Sequence, residues 1–437
     1  MGQYDRKAQS QRKHGPILSS GASKAPARPP PIAKPEWRGN GYMKKAKPKP
    51  HLDAPKDQPT PQDQCLPVEL QQLVLNIFKD SFAASEDFEA LIPVLKEINE
   101  KVLERDWEGA FGGEEKREGY ALRWSPSRAL AFANVMAEFC EERAEDDWVQ
   151  RLSNSSAKAI CFGGGAAEIM AFAGLLRHLR SDAAGRPQSE LDAAKEDPST
   201  EASAPILDLT LIDSADWSSV ISKLQRGATT PPTLSKYASA SARASNAALL
   251  SPSTLNINFT QHDIFTLTTT QLRQLIGDKP ILVTLFLTLS SLYKTSISKT
   301  LALFVRLDAL LPPNSTILII DTIIASISQP IPDSEDVIEY TMEQLTDRAL
   351  LGKLPIEKVQ VQGKGKKALE EEEKLKPEIR WEKICKQEMK VNKLEEGLRY
   401  PGSLENVKFQ VLAYQRFSES KESIYDALLN LFLDDHS

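Results

Sequence analysis

Between residues 65 and 143 the apolar positions recur at helical spacing. Leu70, Leu73, Val74, Ile77 and Phe78 share one face of a first helix, and Leu91, Leu95, Ile98 and Val102 repeat the pattern in a second. A turn-rich connection, RDWEGAFG at 105–112, leads to YALRWSPSRAL at 120–130, where Ser125 is expected to N-cap a third helix with Pro126 at its first position, running to about Arg143. Beyond Ser156 the pattern changes to short apolar runs: Ala159 to Phe162, Ile206 to Ile212, Leu255 to Phe259, Ile281 to Leu287 and Thr316 to Ile320. Each is followed by a helical or loop stretch, which predicts a parallel sheet with crossovers and an α/β fold class. A last strand, Val407 to Phe417, follows the loop YPGSLEN at 400–406, and no internal repeat is visible.

Composition divides the chain further. With 41% apolar and 26% charged residues among 437, the chain can bury at least one large core, and collagen-like or wholly disordered classes are excluded. The formal charge of −6 hides an asymmetry: residues 1–60 hold 13 Lys and Arg against 4 Asp and Glu, and the first 61 residues hold 11 of the 28 prolines. This stretch cannot repay the entropy of folding, so residues 1–64 are expected to be a disordered basic arm suited to nucleic acid. Residues 65–150 are expected to form an N-terminal helical extension, and residues 151–437 the sheet domain. Insertions are expected near 181–204, 227–253 and 363–377, the last nearly all Lys and Glu. Cys65, Cys140, Cys161 and Cys385 fit neither a paired metal-ligand spacing nor a small disulfide framework, so no metal and a reducing compartment are expected. The longest strongly apolar run, Ile281 to Tyr293, falls short of the roughly 20 residues of a spanning helix. No membrane span is expected, and a soluble intracellular protein is.

The sharpest motif is ICFGGGAAEIMAFAGLL at 160–176, a strand running through Gly163, Gly164 and Gly165 into a helix. Glycines let a ligand approach the backbone, and the helix N-terminus presents unpaired N–H groups. Glu168 stands where a dinucleotide fingerprint needs its third glycine, and no Gly-Lys-Ser/Thr follows, which disfavours nicotinamide cofactors and excludes a P-loop. A cofactor without phosphates remains, and S-adenosylmethionine is the commonest on this architecture. The second strand ends at Asp213 in LIDSADW, followed by Ser214, where a carboxylate can accept hydrogen bonds from ribose hydroxyls. The third ends in QHDIF, placing Asp263 and Ile264 at the next tip, within reach of an adenine. Either Asp could instead serve as a cap or turn residue.

Taken with RDWEGAFG, YALRWSPSRAL, CFGGGAAEI, SKYASASARASNAALLSP and YPGSLENVKFQ, these motifs resemble the fungal large-subunit ribosomal RNA uridine-N(3)-methyltransferases, from about Leu66 to Phe417 without the insertions. That family is a branch of the class I methyltransferases, so the resemblance implies a Rossmann-like, mostly parallel sheet of seven strands. It also implies S-adenosyl-L-methionine as cofactor, with Gly163 and Gly165 against its methionine portion, Asp213 at ribose and Asp263 with Ile264 near adenine. The implied partner is large-subunit rRNA or a pre-ribosome, and the expected location is the nucleus, within it the nucleolus, with the cytoplasm as the alternative. Two departures stand out. Cys161 and Phe162 precede the glycine turn where most class I enzymes carry an acid, and TLSSLY at 288–293 lacks the asparagine expected after the fourth strand. Ser290 and Tyr293 in that segment, with Glu405 in YPGSLEN, are the candidates for catalysis. Arg123 and Arg128 are candidates either for RNA contact or for capping and surface roles. The alternative function is a catalytically silent RNA-binding or ribosome-assembly protein on the same core.

Overall fold

The computed structural model describes residues 60–61, 65–184, 206–234, 236–244, 246–323, 326–330, 337–352 and 380–417. The basic arm, apart from Thr60 and Pro61, lies outside these residues, as do most of the expected insertion at 181–204 and all of that at 363–377.

After a two-residue strand β1 (Thr60–Pro61), the chain is helical up to the sheet: α1 (Val68–Ser81), α2 (Ile92–Glu104), α3 (Trp107–Phe111), α4 (Glu114–Arg123), α5 (Ser125–Glu142) and α6 (Asp147–Asn154). Strand and helix then alternate through β2 (Ala157–Phe162), α7 (Ala166–Ala184), β3 (Leu207–Asp213), α8 (Ser218–Thr229), α9 (Ala240–Ala244), β4 (Leu255–Gln261), α10 (Thr269–Ile276), β5 (Leu282–Phe286), α11 (Leu289–Thr295), α12 (Ile297–Leu310) and β6 (Thr316–Asp321). A small antiparallel pair, β7 (Ile327–Pro330) and β8 (Val337–Tyr340), precedes α13 (Met342–Leu351), β9 (Trp381–Asn392) and β10 (Val407–Arg416).

The sheet runs β1-β9-β10-β6-β5-β2-β3-β4. The strands β4, β3, β2, β5 and β6 are mutually parallel, and β10 is antiparallel to both β6 and β9. Without the short β1 this is the seven-stranded, mostly parallel, Rossmann-like sheet of class I methyltransferases. Its order reverses direction at β2, so the glycine turn sits at the switch point, where open α/β sheets bind ligands.

Strict alternation of side chains explains why both faces are covered. In β2, Ala157, Ala159 and Cys161 join the core under α1, α5, α7 and α8, whereas Ile160 and Phe162 join the core under α10, α12 and α13. The same split holds in β6, with Leu318 and Ile320 on one face and Ile317 and Ile319 on the other. Such continuous apolar strands are the mark of parallel sheets buried on both sides.

The structure revises three expectations. RDWEGAFG holds the helix α3, capped by the Asp106 carboxylate accepting the Gly109 N–H at 2.8 Å. Ser125 is the first residue of α5 rather than its cap: α4 runs into α5 through the single residue Trp124, and Ser125 is buried with Pro126 in the first turn. The strand β9 is an addition to the expected sheet, because WEKICKQEMKVN is polar along most of its length and becomes continuously buried only at its last three residues.

The helical extension is tied to the sheet by buried polar contacts. Asn134, fully buried on α5, accepts from Leu66 N–H at 3.1 Å and donates to Asn392 Oδ1 at 3.0 Å. Lys390 on β9 pairs with Glu138 one helical turn further on. Replacing Asn134 by Ala leaves the buried Leu66 N–H without its acceptor and is expected to cost about 1–3 kcal/mol. Urea unfolding should show a lower midpoint at unchanged slope, and an unchanged midpoint would show that this bridge does not hold the layers together.

Candidate active site

Three strand tips meet at the switch point. Ile212 of β3 lies opposite Phe162 of β2, and Asp213 opposite Gln261 of β4. The main chain continues this alignment past the strands, with Gly163 N–H donating to Ile212 O at 2.8 Å and His262 N–H to Asp213 O at 2.7 Å. Gly163 turns at φ +73°, a conformation that favours glycine, and a Cβ there would overlap the Thr288 hydroxyl at the tip of β5. A Cβ on Gly164 would lie 2.6 Å from Cys161 Cβ and 2.8 Å from Leu211 Cδ2. Neither position has room for a side chain. Gly165 packs beneath the indole of Trp217.

Carboxylates gather around this turn. Gly165 precedes α7, and its N–H donates to Glu168 Oε2 at 2.7 Å, the helix-to-cap half of a capping box. Glu168 is only 6% exposed, and burial pushes its carboxyl up to about 7 against the favourable field of Arg128. Asp213 accepts from Ala215 N–H at 2.8 Å and from the Trp217 indole N–H; burial pushes it up to about 6. Asp263 is exposed and caps the short turn Ile264–Thr266 by accepting from Phe265 N–H at 2.9 Å, while Ile264 is buried. Ser214 is exposed, and its carbonyl accepts from the Gln261 side chain. The tip of β6 adds Asp321, whose carboxyl is raised by burial and accepts from Ser290 N–H at 2.9 Å and Thr322 N–H at 2.7 Å.

Beside the turn lies a cleft of about 190 Å³, lined in part by Arg123, Trp124, Arg128, Leu287, Thr322 and Glu405. It adjoins the glycine turn on two sides: Leu287 precedes Thr288, and Arg128 acts on Glu168. One wall is the 400–406 segment, which straps across the α4–α5 junction. Tyr400 O–H donates to Leu122 O at 2.8 Å, Glu405 N–H donates to Ser127 Oγ at 3.0 Å, and Arg123 pairs with the Glu405 carboxylate and donates to Ser403 O at 3.1 Å. Phe111, Tyr120, Trp124 and Trp217 form a run of ring contacts from the cleft to the glycine turn, with centroids 5.0 to 5.8 Å apart. A wider groove of about 990 Å³ runs along α1, between residues that include Gln72, Arg177 and Arg399, and none of the strand tips lines it.

The structure thus brings Gly163, Gly164, Gly165, Asp213, Ser214, Asp263 and Ile264 to adjacent tips, and Arg123, Arg128 and Glu405 to one cleft. Ser290 lies at the neighbouring tip, but its N–H and hydroxyl bond Asp321. Tyr293 is not brought to the cleft: it is 1% exposed in the opposite core, with its hydroxyl 3.1 Å from Thr346 Oγ1 on α13. Sequence reasoning missed Trp217, Thr288 and Asp321. Asp321 carries the same signal as Asp213, an apolar strand ending in an acid, TILIID beside LTLID. Trp217 stands in the quoted motif LIDSADW, but its contact with Gly165 is tertiary.

The model of a family of SAM-dependent methyltransferases matches residues 78–415. The chain is 28% identical over 263 residues to the 25S rRNA (uridine(2843)-N(3))-methyltransferase of Saccharomyces cerevisiae, an alignment covering 57% of this chain and 66% of that protein. Among solved structures, a SAM-dependent methyltransferase from Methanosarcina mazei is 11% identical, with a TM-score of 0.28, covering 62% of this chain and 97% of its own. A 16S rRNA (adenine(1408)-N(1))-methyltransferase mutant from Catenulisporales acidiphilia is 13% identical, with a TM-score of 0.28, covering 62% and 93%.

The family match implies S-adenosylmethionine as cofactor, and the residues fit it. The cofactor carries a cationic sulfonium and an ammonium group, while Glu168 and Asp213 are buried carboxyls that a nearby cation would hold ionised. Asp213 keeps acceptor capacity for ribose hydroxyls, and Ile264 gives a base an apolar surface.

In the protein without ligand these carboxyls set a pH dependence. Their folded pKa values lie above the roughly 4 of unfolded chains, so the folded state binds more protons. Their contribution to stability falls as pH rises from about 4 to about 7 and is constant above. Glu168→Gln removes the larger part, since a glutamine oxygen still accepts from Gly165. The melting temperature of this variant should match the wild type near pH 4 and exceed it near pH 8; a difference independent of pH would place the ionisation elsewhere.

Proposed function

The chain belongs to a family of SAM-dependent methyltransferases, and we propose that it transfers the methyl group of S-adenosylmethionine to N(3) of a uridine in large-subunit ribosomal RNA. The observation that carries this proposal is the cleft beside the glycine turn. Its walls come from the two segments, RWSPSRAL and YPGSLEN, that set the uridine-N(3) branch apart. The yeast relative, by its name, acts on such a uridine. The basic composition of residues 1–60 suits an RNA partner, with the pre-ribosomal large subunit in the nucleolus as its setting.

When bound, the cofactor supplies an electrophilic methyl group on its sulfonium. The protein's task is to hold, orient and exclude water. Gly163 and Gly165 lie against the methionine portion, Asp213 accepts from ribose hydroxyls, and Asp263 with Ile264 receives the adenine. Trp217 roofs the turn. The cleft takes the uracil, with Trp124 and Leu287 as apolar walls. Because N(3) lies on the Watson–Crick edge, the uridine enters unpaired or flipped from its stack. Ser290 and Tyr293 act as positioning residues through Asp321 and Thr346, fixing α11 under the cleft.

Incubating the full-length protein with methyl-labelled S-adenosylmethionine and large-subunit rRNA from cells lacking the protein, followed by nucleoside mass spectrometry, should yield labelled 3-methyluridine. A different labelled nucleoside would discard the base but keep the chemistry, and no label would favour a silent scaffold. Asp213→Ala should weaken S-adenosylmethionine binding by roughly 10- to 100-fold through lost charged hydrogen bonds. Calorimetry on the folded variant checks this, and full affinity would remove Asp213 from the cofactor site.

A further inference from the structure

We propose that Glu405 and Arg123 read the edge of uracil as an acceptor and donor pair, Glu405 facing N(3)–H and taking its proton, Arg123 facing the adjoining carbonyl. This rests on the function proposed above and names the residues that select the base.

The pair is held with more care than its stability requires. The Arg123 side chain is 18% exposed and that of Glu405 57%, and pairs this exposed contribute little to folding. Both ends are nonetheless anchored. Arg123 is fixed by Ser403 O and lies over the Trp124 ring at 5.6 Å, and the Glu405 main chain is fixed by Ser127 Oγ. Gly402 lies so close under the Phe88 ring that a Cβ would overlap it, and Tyr400 is bonded to Leu122, so the strap cannot slide along the helix junction. Both charged groups line the cleft beside a flat aromatic wall.

A guanidinium only donates and an ionised carboxylate only accepts. Uracil presents a donor at N(3) between two carbonyl acceptors, so the carboxylate meets N(3)–H while the guanidinium meets a carbonyl. Cytosine has an unprotonated N(3), whose lone pair would face the carboxylate, and an amino group that would face the guanidinium. It satisfies the pair only when slid by one position, which carries its N(3) away from Glu405. In the transfer step the N(3) proton passes to Glu405, the N(3) electron pair becomes the new N–CH3 bond, and the electron pair of the broken S–CH3 bond stays on sulfur. Glu405 then returns its proton to solvent.

The test uses the full-length protein with S-adenosylhomocysteine bound and measures the affinity of hexauridylate against hexacytidylate by tryptophan fluorescence. The wild type is expected to prefer hexauridylate by at least about 5-fold, the low end for a specific edge contact. Glu405→Gln, whose amide both donates and accepts, should bring the two within about 2-fold. The same variant should slow methyl transfer to large-subunit rRNA by about 100-fold or more, as for loss of a general base, with S-adenosylhomocysteine affinity unchanged. A retained preference or an unchanged rate overturns the proposal. If the glutamine variant does not fold, Glu405→Asp serves: it keeps the preference while slowing transfer, and an unchanged rate again overturns the proposal. A wild type that makes no 3-methyluridine fails the proposed function, while the binding ratio still decides whether the pair reads uracil.

Discussion

Everything at the site depends on a chain reversal that has no room for a Cβ. At Gly163 the strand β2 must leave the sheet, pass under Thr288 at the tip of β5 and enter α7 within three residues. Because β2 is hydrogen-bonded to β5 on one side and β3 on the other, all three tips are referenced to this turn. A side chain at Gly163 would push β5 outward, moving Leu287, which lines the cleft. The strand tips and the cleft are therefore coupled through one steric constraint rather than built separately.

The second half of the site comes from outside the sheet. The α4–α5 junction supplies one wall of the cleft and the 400–406 strap another, although they are about 280 residues apart in sequence. What joins them is a small set of main-chain contacts: Leu122 O, Ser403 O and Glu405 N–H all take part. These anchors hold the strap on the helix junction and bring the side chains of Arg123 and Glu405 together at the cleft.

The order of strands was legible because fully buried parallel strands read as apolar runs, and the five runs from Ala159 to Ile320 mark β2 to β6 with boundaries off by a residue or two. The strand β9 was not, because a strand near the sheet edge with one polar face loses that signal. The tips followed the same logic. Gly163, Asp213 and Asp263 announce themselves by type and place, since a glycine or acid at a strand end is a local feature. Tyr293 shows the limit: it lies one helical turn past Ser290, and only the packing of α11 against α13 reveals that its hydroxyl is engaged by Thr346 rather than by the cleft. Trp217 and Arg128 owe their places at the turn to contacts between distant segments, which no local pattern encodes.

The acids at the tips carry a consequence for binding. Glu168, Asp213 and Asp321 are each raised by burial, and Asp213 raises the carboxyl of Glu168 further. An empty site with such groups is less stable than one with neutral side chains, because ionising them in a poorly solvated place is unfavourable. Arg128 offsets part of this, and it is also bonded to Tyr120 and lines the cleft. A cationic ligand at the turn would offset this cost by favouring the ionised carboxyls, as Arg128 does in part.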